Sequence, residues 1–96
     1  MATIEVLKAK IEKLKICQTI LQAEKEKLFK KFSEIDTRIN EDMTLTSRQF
    51  SNLDKRRSFM QENLDAFDYG IMTLENSITE TEYIINRKER ENARQV

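Results

Sequence analysis

The sequence predicts an all-α protein: an antiparallel two-helix coiled-coil hairpin that assembles into a four-helix bundle or a larger helical oligomer. Three observations predict it. Apolar residues recur at alternating spacings of three and four through both halves of the chain, the signature of a heptad-repeating helix. Helix-ending residues are nearly missing, with one glycine and no proline in 96 residues, whereas a β protein needs turn residues about every 10 positions. Residues 1–31 are lysine-rich with a net charge of +4, and residues 58–86 carry acids with no Lys or Arg, so the two segments attract one another.

The first helix is expected over residues 3–42. Ile4, Leu7, Ile11, Leu14, Leu21, Leu28, Phe32, Ile35 and Ile39 form one stripe, with Gln18 and Lys25 as polar interruptions and Asp42 at its end. Residues 43–46 are read as the turn. Asn40, Glu41 and Asp42 break the stripe, and carboxylates at a helix C-terminus oppose the macrodipole. Thr46, followed three residues on by Gln49, has the pattern of a capping box, so the second helix is expected over residues 46–92 with a frayed C-terminus. Its stripe runs through Phe50, Leu53, Met60, Leu64, Phe67, Ile71, Leu74, Ile78 and Ile85, interrupted by Arg57, Thr81 and Lys88. With neither Gly nor Pro at the break, one continuous helix is the competing arrangement.

Registry favours the hairpin. In an antiparallel pair each a position shares a layer with a d position of the other helix. A turn centred on Thr46 makes paired residue numbers sum to 92, which joins Ile39 to Leu53, Phe32 to Met60, Leu28 to Leu64, Leu21 to Ile71, Leu14 to Ile78 and Leu7 to Ile85. The cations Lys25, Arg57 and Lys88 then face Phe67, Ile35 and Ile4, and their long stems can cover these neighbours while the charged ends reach water. Residues 1–31 carry eight lysines and four glutamates, and residues 58–86 carry six acids and no Lys or Arg. The register sets Lys8 opposite Glu82 and Lys15 opposite Glu75. Near the turn it sets Arg38 against Arg56 and Asp36 against Asp54, so that end is expected to be looser or held by something else.

Composition narrows the function. The chain is read as one hairpin domain at residues 1–96. Residues 1–16 alternate Lys and Glu with apolar positions, unlike a signal peptide, and no apolar run approaches the ~20 residues that span a bilayer. A cytoplasmic location is expected, or the host cytoplasm if the source is viral, and the Lys/Ile/Asn/Glu-rich usage points to a microbial or viral regulator. An initiating Met and a stripe running from Ile4 to Lys88 suggest a complete small protein. A lone cysteine and no histidine leave neither a disulfide framework nor the commonest general base and metal ligand. No enzyme activity, cofactor or metal is expected. Glu62, Asp65 and Asp68 lie along one helix face, but a calcium site would want loop oxygens and a bending glycine.

What remains is protein–protein contact, as a scaffold, adaptor, chaperone or inhibitor. Ile16, Cys17 and Ile20 form a second apolar patch beside the first stripe, and the register sets Cys17 opposite Ser77, close to Gly70. Small residues there admit a neighbouring helix, and contiguous apolar patches mark interfaces. Phe59, Tyr69 and Tyr83 also lie off the seam and join the candidate interface. The expected partners are a second copy and an unidentified protein, not a membrane. The alternative is nucleic-acid or small-anion binding through a basic cluster at the turn end (Arg38, Arg48, Lys55, Arg56 and Arg57) or an inter-subunit pocket. Zero formal net charge disfavours the nucleic-acid form of that reading, because phosphate binding needs a surplus of cations on one face.

Overall fold

The computed structural model describes residues 3–94 and is an all-α helical hairpin. Helix α1 spans Ile4–Glu41 and α2 spans Ser47–Arg94. Both agree with the periodicity to within two residues, and α2 runs past the expected end at 92. Gln95 and Val96, part of the expected frayed terminus, lie outside the described residues.

Each helix begins where a hydroxyl caps it. The Thr3 hydroxyl accepts the Val6 N–H at 3.2 Å, and the Thr3 carbonyl accepts the Leu7 N–H at 3.0 Å. Thr3 therefore belongs to the cap and not to the helix. At α2 the capping box is complete. Gln49 N–H donates to the Thr46 hydroxyl at 3.1 Å, and Thr46 N–H donates to Gln49 Oε1 at 2.9 Å. Two otherwise orphaned donors are satisfied reciprocally. The chain reverses through Asp42–Thr46 with no positive-φ residue. Asp42 Oδ1 supplies the local fastening, accepting the Thr44 N–H at 2.9 Å and the Thr44 hydroxyl at 2.6 Å. Side chains close this turn, which is why it needs no glycine.

The helices pack as two compact units, one holding residues up to Leu21 with those from Gly70 onward, the other Gln22–Tyr69. In the first, the end unit, Leu7, Ile11, Ile78 and Ile85 form the buried cluster, with Ile4 and Leu14 packed against it. Thr81 sits among them at 3% exposure, the least exposed side chain of the core. Its hydroxyl donates to the Ser77 carbonyl at 2.7 Å, so burial leaves no polar group unsatisfied. In the second, the turn unit, Leu53 and Leu64 are buried and the other stripe residues half-buried, apart from Phe50.

Every stripe position of both helices is buried or half-buried except Phe50, which is 47% exposed. Phe50 shares its layer with Asp42, and Asp42 has left the helix to hold Thr44. The register sets a carboxylate, not an apolar side chain, across from the ring. Leu64, at 4% exposure, is therefore expected to matter far more than Phe50. Leu64→Ala should cost about 2–4 kcal/mol and Phe50→Ala well under half as much, read from thermal denaturation followed by circular dichroism. Equal losses would mean that the layers are misassigned.

Candidate functional site

Taking Ile4 as a heptad a position puts the e positions of both helices along one edge of the hairpin and the g positions along the other. The two edges differ in chemistry.

The e edge holds the ion pairs between helices. Lys25, a seam cation on α1, pairs with Asp68 of α2. Arg57, a seam cation on α2, donates through Nη1 to Asp36 of α1 at 2.8 Å and through Nη2 to Asp54 at 2.7 Å. These are the same device twice. A cation at a reaches across to a carboxylate at e, with residue numbers summing to 93 in both cases. Arg57 is thus what holds the turn end, where the carboxylates of Asp36 and Asp54 come together. The two carboxylates push the guanidinium pKa further above its ordinary range. At the other end Lys8 pairs with Glu89 at 3.6 Å and not with Glu82 as the register suggested. Glu89 is an e residue one heptad further on, within reach of a flexible lysine. Among the described residues Lys15 and Glu75 make no ion pair. A surface groove of roughly 640 Å³ opens beside this edge in the turn unit, lined by Lys25, Phe29, Gln61, Leu64 and Asp68 among others. The Phe29 ring folds back on Phe32, with centroids 6.3 Å apart.

The g edge of the end unit is uncharged over its central stretch. Cys17, Gly70 and Ser77 occupy g positions there, with Ile84 at the next g position and Ile20 at a flanking c position. Cys17 is exposed, and Ile20 is 57% exposed. Gly70 and Ser77 are half-buried. The edge therefore brings together four of the residues that the sequence singles out. Ile16, 59% exposed, lies on the outward face next to Ile20. Tyr83 lies on the outward face of α2, and Phe59 and Tyr69 belong to the turn unit; all three are exposed.

Gly70 has no conformational reason to be glycine, since no glycine has positive φ. A Cβ built there would meet Leu21 Cδ1 at 3.4 Å, ordinary contact for a methyl group. The chain's own packing accommodates alanine.

The basic cluster at the turn is largely committed or balanced. Arg57 is held by two carboxylates and Arg38 lies 3.8 Å from Asp42. Arg48, Lys55 and Arg56 make no ion pair among the described residues. Over residues 36–57 five cations stand against Asp36, Glu41, Asp42 and Asp54, a net of +1. Among the described residues no three His, Cys, Asp or Glu side chains are grouped as metal ligands, and no helix is long and apolar enough to cross a membrane. No family model matches the chain, and comparison with curated proteins and with solved structures finds no match to either.

Two outcomes test this geometry. Gly70→Ala should raise the melting temperature of dilute protein, because alanine in a helix is favoured by about 0.5–1 kcal/mol; a loss would mean that the Leu21 contact is tighter than it looks. The second concerns Asp42. The Thr44 hydroxyl and N–H, then Arg38, hold its carboxyl below the ordinary value of 3.8. A lowered folded pKa contributes stability that is fully present above the unfolded value and is lost as pH falls through the folded one. The turn should therefore loosen only below about pH 3.8. Thr44→Val should move the Asp42 carboxyl titration, followed by carbon NMR, upward toward that value.

Proposed function

We propose that the protein is a non-enzymatic interaction module. It self-associates as a coiled-coil hairpin and works by protein–protein contact, as a scaffold, adaptor, chaperone or inhibitor. The observation that carries this reading is surface area. The chain exposes 7679 Å², where a compact monomer of 11.4 kDa would expose about 5,800 Å². The excess is roughly 1,900 Å² on the same scaling, which exceeds the ~800 Å² that each partner contributes to a standard interface. Much of what is exposed is apolar: Val6, Ile16, Ile20, Met72 and Ile84 in the end unit, Phe29 and Phe59 in the turn unit. A lone seam between two helices cannot cover these, and a neighbouring pair of helices can.

Ile16→Lys combined with Ile20→Lys tests the reading, because neither residue occupies an a or d position. The expected result is unchanged helicity with a smaller sedimenting species. A double variant that keeps the mass of the parent would place the interface elsewhere, with Phe59, Tyr69 and Tyr83 next in line. Binding of DNA or RNA that survives ~150 mM salt would instead favour the basic turn end.

A further inference from the structure

The geometry points to a specific way for a second copy to dock: α1 of one chain lies antiparallel on α2 of the other, g edge to g edge, about a two-fold axis parallel to the helices of the end unit. This rests on the self-association proposed above and adds its orientation.

Two observations choose the occupant and its direction. The first is charge left over. On the g side of the end unit Lys10 and Lys13 of α1, at g and c positions, are exposed and make no ion pair among the described residues; neither does Glu80 of α2, at a c position. Between Gly70 and Asn86 α2 has no cation to set against that acid. Each helix therefore complements the other helix of a second copy and repels its own equivalent, which disfavours α1 on α1 and α2 on α2. The second is the surface excess, which is large enough for an interface of the obligate class, about 2,000–5,000 Å² in total.

The two-fold axis then fixes the contacts. Rotation about an axis along the helices leaves every residue at its own height, so the sums that pair heights within the chain also pair them between copies. Lys13 and Glu80, both at c positions flanking the g edge, sum to 93, the same sum as Lys25 with Asp68 and Asp36 with Arg57. Within one chain these two c positions lie outside the seam and make no ion pair with each other. Between copies they face. Along the same ladder Cys17 meets the second copy's Ser77. An isologous interface repeats each contact twice.

Charge reversal at Lys13 and Glu80 tests the orientation by sedimentation equilibrium at low salt, with circular dichroism confirming the fold. Lys13→Glu alone, and Glu80→Lys alone, should each weaken self-association about tenfold, since two exposed pairs at up to ~1 kcal/mol each turn repulsive. Mixing the two single variants should restore parental affinity, because every contact in the mixed dimer is again Lys against Glu. The double variant should recover it as well. A dimer indifferent to all of these changes would overturn this docking and leave self-association standing. A parent chain that is monomeric at every concentration would overturn both.

Discussion

Everything in this structure depends on one constraint: two helices share one seam, and a helix in a two-helix packing can bury only one stripe. No side chain is completely shut away; among the described residues none falls below 2% exposure. A core so thin would not be expected to tolerate charge, yet Lys25 and Arg57 both occupy seam positions. They are tolerated because the seam is open along its edges. Each cation lays its stem across an apolar layer and delivers its charge to a carboxylate at the rim, Asp68 in one case and Asp36 with Asp54 in the other. Exposed pairs of this kind contribute little net stability. Their effect is on register, since a slip by one heptad separates cation from carboxylate.

The two edges of the seam divide the work. The ion pairs between helices that involve the e positions run from Lys8–Glu89 near the chain ends to Arg57–Asp36 near the turn. The g edge of the end unit has small residues where the e edge has charges. Charged e positions would cost a newcomer desolvation, whereas Gly70 and Ser77 lie beside an exposed Ile20 that leaves apolar surface unburied. That asymmetry is the physical basis for proposing that a second copy docks on the g edge.

The seam was legible in the sequence because burial follows backbone periodicity, which side-chain rotamers cannot disguise. Leu7, Leu14, Ile78 and Ile85 packed together as the sum of 92 requires. The capping box was legible for a similar reason: Thr46 and Gln49 act at fixed sequence separation. Ion-pair partners were not. Lysine has four rotatable bonds, and Lys8 reached a carboxylate one heptad from the nearest one. The register sets the Arg57 stem on Ile35 with its charged end in water, but a guanidinium can fork between two carboxylates, and only the folded chain brings Asp36 beside Asp54. The spacing extends the helix to Thr3, because the hydroxyl acts on Val6, a residue whose identity carries no capping signal. Of the candidate interface residues, Cys17, Ile20, Gly70 and Ser77 fall on one edge, while Phe59 and Tyr69 fall in the other unit, a separation that apolarity alone does not reveal.

The side-chain fastening of the turn also bears on the order in which the hairpin closes. Thr46 with Gln49 and Asp42 with Thr44 bond across two or three residues, so they can form before any distant contact exists. The next link, Asp36 to Arg57, closes a loop of 21 residues, against 78 between Leu7 and Ile85. The chain entropy of closure favours the shorter loop by about 1.2 kcal/mol. Each layer formed shortens the loop left to close for the one after it. The hairpin is therefore built to zip from the turn outward, and the chain ends, with the g edge they carry, are the last part of the molecule to take shape.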